Sequence, residues 1–310
     1  MVRHALLQLG LLLACCWSAA ADEPARKVLF IGIDGCRWDA VQAARTPHLD
    51  RLVEDGFLAL GTDIIAPRET PGDTVSGPGW SNLLCGVWPD KHGVIDNSFK
   101  GANYQRYPHV FARIKEVNPR AVTASFSDWA PIHTKILSAA DEVFTEDARG
   151  AAEYAAADAR AVDACCTLLQ RKHPDVVMLY QGQVDETGHA HGFHPTVAEY
   201  RQAIERVDAH IGRVLETIRM RPTFAAEDWL VLVATDHGGV GLNHGGGRQM
   251  EEIRKTFLIV SGPSALRGRT EAPTYQVDVV ATALAHLRIV PRPEWELDGR
   301  PVGLKSLPMR

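Results

Sequence analysis

Four short apolar runs constrain this chain most. Residues 28–33 (Val-Leu-Phe-Ile-Gly-Ile), 176–180 (Val-Val-Met-Leu-Tyr), 230–234 (Leu-Val-Leu-Val-Ala) and 257–261 (Phe-Leu-Ile-Val-Ser) show no alternating polar face. A strand of this kind has to be covered on both sides, which is the condition inside a parallel sheet sandwiched between helices. Residues 57–65 and 121–126 read as two further extended segments. Helix-like stretches lie between them. Residues 46–56 begin on Thr46 with Pro47 at the first helical position and stop at Gly56. Residues 195–219 place Val197, Tyr200, Ile204, Val207, Ile211, Val214 and Ile218 at helical spacing, a stripe that faces a core. Residues 78–86, 107–117, 151–170 and 277–287 complete the helical set. The alternation predicts an α/β fold of three layers, α/β/α, around a mostly parallel central sheet.

Polar residues follow these runs in a pattern. Asp34 closes the first, Asp185 and His189 follow the second, Asp236 and His237 follow the third, and His244 comes soon after. In open α/β sheets, ligands bind beyond the carboxyl ends of the strands. Three carboxylates and three imidazoles on one rim suit zinc or manganese, whereas imidazole disfavours calcium and magnesium. Asp185 and His189 stand at i and i+4, so a helical turn points both the same way. Asp236 and His237 are adjacent and share a target only at a sharp turn, which Gly238 and Gly239 permit. Singly, each has a plainer role: an Asp after a strand often caps a helix, and a His in a Gly-rich turn is often polar surface.

A hydroxyl is also available. Thr74-Val-Ser-Gly-Pro-Gly-Trp-Ser81 leads into the helix expected at 78–86. A side chain beside a helix N-terminus meets unpaired N–H groups and a positive dipole, which favour a phosphate. Ser76 is the candidate nucleophile and Thr74 the runner-up; the plain role of Ser76 is a helix cap. Neither hydroxyl is nucleophilic without an activating base or metal.

Composition sets the remaining bounds. The chain has 310 residues, 45% hydrophobic and 23% charged, with a formal net charge of −5. Without a basic excess, no nucleic-acid groove is expected, so an anionic substrate needs local attraction, most naturally from bound metal. Residues 1–21 read as a signal peptide: Arg3 and His4, an apolar stretch over 5–17, then small residues to Ala21. Residues 22–310 are then a single catalytic domain, exported to a periplasm or secreted. Leu12-Leu-Ala-Cys15 also resembles a lipobox, which makes a lipid anchor at Cys15 the alternative. No later segment is long and apolar enough to span a membrane. Cys36, Cys85, Cys165 and Cys166 match no zinc-finger spacing; they read as small buried hydrophobes, with one disulfide left open.

Five stretches resemble a known group of enzymes. They are Ile31-Gly-Ile-Asp-Gly35, Ser76-Gly-Pro-Gly-Trp-Ser-Asn-Leu-Leu-Cys-Gly-Val-Trp-Pro-Asp-Lys-His-Gly93, Val184-Asp-Glu-Thr-Gly-His-Ala-His-Gly192, Thr235-Asp-His-Gly-Gly239 and Asn243-His-Gly245. In this order they resemble the alkaline phosphatase superfamily, and most closely its nucleotide pyrophosphatase/phosphodiesterase (type I phosphodiesterase) branch. The resemblance implies an alkaline-phosphatase-like fold and two divalent metal ions, most often zinc. Asp185, His189 and His244 match the ligands of one metal; Asp34, Asp236 and His237, with the hydroxyl of Ser76, match those of the other. Ser76 falls at the nucleophile position, where many members carry Thr, and Asn97 falls where the branch has an Asn that contacts a phosphate oxygen. The plain role of Asn97 is a turn residue. Two ions (+4) against three carboxylates (−3) leave the site net positive. The branch commonly has Pro-Asn after the nucleophile, and this chain has Pro78-Gly79. Ser76-Gly-Pro78-Gly-Trp80 lacks the Arg of a sulfatase signature.

The expected activity is hydrolysis of a phosphodiester or pyrophosphate bond through a phospho-serine intermediate, on a small phosphate ester, nucleotides among them. Alternatives are a phosphomonoesterase, phosphonate hydrolase or sulfatase-like enzyme on the same scaffold, or a metal- or ligand-binding protein without turnover. Residues 99–107 and 129–134 are expected to select the leaving group. His92 reads as structural, and His191 and His194 as polar neighbours of His189. Gln181 and Gln183 either line the pocket or satisfy backbone groups.

Overall fold

The computed structural model describes residues 23–306. The expected leader and Cys15 lie outside the described residues. Eight strands form one sheet: β1 (Ala25–Ile33), β2 (Phe57–Asp63), β3 (Thr123–Ser127), β4 (Glu142–Thr145), β5 (Val176–Gln181), β6 (Glu227–Ala234), β7 (Lys255–Ser261) and β8 (Gly268–Thr270). Their spatial order is β4-β3-β5-β1-β6-β7-β2-β8. Among the described residues β7 runs against β6 and β2, and every other pairing is parallel. The helices are α1 (Trp38–Ala43), α2 (Pro47–Asp55), α3 (Ser76–Cys85), α4 (Pro89–His92), α5 (Val110–Val117), α6 (Gly150–Arg171), α7 (Gln183–His191), α8 (Ala198–Arg219), α9 (Glu251–Arg254) and α10 (Asp278–His286).

Side chains alternate across the sheet, and the two faces make two cores. Val28 and Phe30 of β1, with Met178, Tyr180, Leu230 and Leu232, pack against α3, α5 and α10. Leu29, Ile31 and Ile33, with Val177, Leu179, Val231 and Val233, pack against α1, α2, α6 and α8. Both faces of the central strands are therefore apolar, and the three-layer expectation holds. Cys36, Cys85, Cys165 and Cys166 are all buried free thiols.

Element ends differ from expectation for local reasons. The 57–65 strand stops at Asp63, whose carboxylate accepts the Ile65 N–H at 2.9 Å and turns the chain. The 107–117 helix starts only at Val110, with His109 accepting from the Ala112 N–H. The 78–86 helix starts earlier, at Ser76, because Pro78 falls inside the first turn, where its missing N–H costs nothing.

Candidate metal centre

The order β5-β1-β6 explains the site. Asp34 follows β1, Asp185 lies in α7 directly after β5, and Asp236 follows β6. The three strands are parallel neighbours about 4.8 Å apart, so residues distant in sequence arrive side by side. Helix α7 forms as the i, i+4 spacing expected, and His189 Nε2 lies 3.3 Å from Asp185 Oδ2. His244 comes from the loop after β6. Its Nε2 is 3.0 Å from His189 Nε2 and 3.7 Å from Asp185 Oδ1. His237 Nε2 is 3.2 Å from Asp236 Oδ2 and 3.5 Å from Asp34 Oδ1. The His237 and His244 rings stack at 3.7 Å, joining the two clusters. All six strand-end residues thus converge. Two overlapping groups, Asp185/His237/His244 and Asp34/Asp236/His237, each place one donor atom per residue within 4.8 Å of the others.

The donor set fits divalent cations. The Nδ1 of His189, His237 and His244 lies 2.9 Å from the carbonyl of Leu242, Gly238 and Thr74 respectively. Each Nδ1 therefore carries a proton, and each ring turns its Nε2 to the centre as the potential ligand atom. Asp34 Oδ1, Asp185 Oδ1 and Asp236 Oδ2 are buried without a hydrogen-bond partner. Orphaned buried carboxylate oxygens are costly unless a cation occupies them. The second oxygens are held: Asp34 Oδ2 accepts from Trp80 Nε1 (2.9 Å) and the Tyr180 hydroxyl (2.6 Å), and Asp236 Oδ1 accepts from the Gly35 N–H (3.2 Å).

The electrostatics say the same. Without bound cations, burial and then the charge of Asp185 push Asp34 up to about 8. Burial, Asp34 and Asp185 push Asp236 well above the carboxylate range. Burial also works to raise Asp185, but the His189 hydrogen bond and the nearby imidazoles outweigh it and hold Asp185 low. Burial, with His244 next, pushes His237 down to about 3. His189 is pulled up to about 9, first by its hydrogen bond to Asp185.

Ser76 is the first residue of α3 and is buried, with its Oγ 3.4 Å from His237 Nε2. Val75 takes the N-cap position and its side chain cannot cap the helix, while Ser76 lies inside the first turn, so the Ser76 hydroxyl is not spent on capping. Thr74 has a different environment: its Oγ1 donates to the His244 carbonyl at 2.5 Å and accepts from the Gly247 N–H at 2.9 Å. Asn97 Oδ1 accepts from the Gly77 N–H at 2.6 Å, beside Ser76. A Cβ at Gly79, in place of the Asn common in the branch, would lie 2.8 Å from the Asp236 Cβ. The close approach of α3 to β6 thus requires glycine there.

A cavity of about 140 Å³ opens onto this centre, with Ser76, Asn97, Asp185, His189 and His244 in its wall. Among the described residues, no Lys or Arg lines it. Trp129, Tyr154 and Glu186 also line it; residue 129 begins one of the segments expected to select the leaving group, and Phe99 of the other packs against it. Tyr154 and Glu186 carried no sequence signal. Trp80 and Tyr180 were equally unforeseen as partners of Asp34, although Trp80 stands at i+4 from Ser76. His92 is fully buried against Asn82 Oδ1 and the Val94 N–H, a structural role. His191 is exposed, and His194 bonds Thr196. Gln181 and Gln183 turn to α8, bonding His210 and Arg206.

A family model described as type I phosphodiesterase / nucleotide pyrophosphatase matches residues 28–122 and 100–262. The chain belongs to this family. Among its curated relatives are a bovine protein named bis(5'-adenosyl)-triphosphatase ENPP4, 23% identical over 252 residues, and human ectonucleotide pyrophosphatase/phosphodiesterase family member 7, 22% identical over 231 residues. These alignments cover 75% and 68% of the chain but 51% and 47% of the relatives. The phosphodiesterase-family chain therefore spans about half the length of the curated relatives it matches. The fold is shared with murine ENPP5 (TM-score 0.66, 14% identity, 85% of this chain and 95% of that one) and with a 2-O GAG sulfatase (TM-score 0.71, 14% identity, 91% and 73%).

Proposed function

We propose that the protein is an exported two-metal hydrolase of phosphodiester or pyrophosphate bonds, with Ser76 as nucleophile. The observation that carries this reading is the position of the Ser76 hydroxyl, at a helix N-terminus and 3.4 Å from His237, which itself lies against the orphaned oxygens of Asp34 and Asp236. Asp185, His189 and His244 would hold one divalent cation, and Asp34, Asp236 and His237 the other, with zinc the best match to the donors. Such cations supply Lewis-acid neutralisation of the phosphoryl charge and lower the pKa of the serine hydroxyl. That supply is needed because, among the described residues, no Lys or Arg lines the cavity. Family membership supports the reaction class, and the leader-like residues 1–21 support export.

The chain's own groups divide the work. In the first turn of α3 the Gly77 N–H is taken by Asn97 and the Gly79 N–H by the Val75 carbonyl, and Pro78 has none, which leaves the Ser76 N–H for a phosphoryl oxygen. Asn97 spends its Oδ1 on Gly77, which leaves its amide N–H₂ to donate to an equatorial oxygen. Trp80 and Tyr180 fix Asp34 through one oxygen and leave the other turned inward. Ser76 Oγ bonds to phosphorus as the bond to the leaving alcohol breaks; the serine proton goes to solvent and the alcohol takes one back. Water then cleaves the seryl ester and restores the hydroxyl. The test is parallel hydrolysis of aryl phosphodiester, phosphomonoester, phosphonate and sulfate esters by the zinc-loaded protein. Preferred turnover of the diester is expected; zinc binding without turnover of any ester would instead mark a binding protein.

A further inference from the structure

Beside the candidate centre sits a second pair of carboxyl groups that the proposed reaction does not use. Asp128 follows β3 directly and Asp158 lies in the middle of α6; both are fully buried, and neither lines the cavity. Asp158 accepts the backbone N–H of Gly182 at 2.9 Å and of Gln183 at 3.2 Å. Gly182 is the N-cap residue of α7 and has no side chain to cap with. The first free N–H groups of the helix that carries Asp185 and His189 are therefore satisfied from α6. A second contact fixes the same turn: a Cβ at residue 182 would meet the Tyr154 ring at 2.4 Å.

Neither oxygen of Asp128 has a partner that could donate to it, and the carboxyl group beside it is that of Asp158. Two ionised carboxylates in contact repel, and one proton between them converts the repulsion into a hydrogen bond. Burial, then Asp158, holds Asp128 up at about 11. Asp158 is also raised by burial, but hydrogen bonds from Asp128, Gly182 and Gln183 keep it near 6. Asp158 already accepts two backbone N–H bonds and Asp128 accepts none, so the shared proton belongs to Asp128, and Asp158 carries the charge that faces the α7 N-terminus.

We propose that Asp158, supported by the adjoining Asp128 carboxyl group, is a positioning residue for the cation site of Asp185, His189 and His244. It touches no substrate and acts by fixing the start of α7. The inference rests on the two-cation reading above. Zinc titration of the metal-free full chain against a competing chelator dye tests it without any turnover. Wild type is expected to take two equivalents. Asp158→Asn should weaken one of them by about 10–100-fold, the usual effect of losing an outer-shell partner, and leave the other unchanged. Asp128→Asn keeps a neutral donor and should bind both like wild type, whereas Asp128→Ala should match Asp158→Asn. Equal weakening of both equivalents in Asp158→Asn would mean a general structural role and overturn the inference, as would wild-type binding. If Asp158→Asn fails to fold, the two Asp128 variants decide: equal loss in both overturns it. A wild-type protein that binds fewer than two ions overturns the two-cation reading itself, a distinct result.

Discussion

Strand β6 carries a buried carboxylate at each end, and the two are treated in opposite ways. At its start, Glu227 is saturated. It accepts from Arg221 Nε (2.9 Å) and Nη2 (2.8 Å), from Thr223 Oγ1 (2.8 Å) and from Trp229 Nε1 (2.8 Å), and Arg221 is anchored in turn by the carbonyls of Leu169 and Lys172. Just past its end, Asp236 has one oxygen bonded and one orphaned, among two further acids and three imidazoles. A satisfied buried pair holds a fold together, and an unsatisfied one stores affinity for whatever completes it. The same strand thus separates a stability end from a chemistry end.

The largest expected effect lies at the chemistry end. Exhaustive chelation should abolish ester hydrolysis and zinc should restore it; undiminished rates in the chelated protein would break the contrast. At the stability end, Arg221→Ala leaves Glu227 charged and buried, and should cost about 3–5 kcal/mol in chemical denaturation with little effect on zinc affinity. The pH dependence follows from the same pair. Burial works to raise Glu227, but the Arg221, Trp229 and Thr223 hydrogen bonds win and hold it at about 2. A depressed carboxylate contributes stability above its unfolded value of about 4.3, which is lost as pH falls toward 2. Denaturation midpoints should therefore fall over this window in wild type and fall less in Glu227→Gln, which starts lower. The smallest effect has the opposite sign. In the metal-free protein burial forces Asp236 to take up a proton that Asn does not need, so Asp236→Asn should raise the stability of that form by about 1 kcal/mol while weakening zinc binding. A loss of metal-free stability as in Glu227→Gln would show that both ends are structural.

How much of this was legible in the sequence follows from which contacts are local. Asp34, Asp185 and Asp236 could be read because each directly follows an apolar run, and the sheet order that joins them needs only parallel neighbours. Asp185 and His189 were legible from helical spacing. The strands β4 and β8 were not, because Glu142–Thr145 and Gly268–Thr270 are edge strands without an apolar run. The reversal of β7 was hidden as well, since Phe257–Ser261 is equally apolar read in either direction. Asp128, Asp158, Trp80 and Tyr180 gave no signal, because their roles depend on how α3 and α6 cross the sheet. The Ser76 hydroxyl proved to be inside α3 rather than before it, since Pro78 permits the helix to begin two residues earlier.

The most direct test of the central claim is aryl phosphodiester turnover by zinc-loaded Ser76→Ala, with metal content measured on the same sample. The expected result is a loss of at least about 10⁴-fold in rate, in line with removal of a covalent nucleophile, with two zinc ions still bound. Wild-type turnover by Ser76→Ala would contradict it.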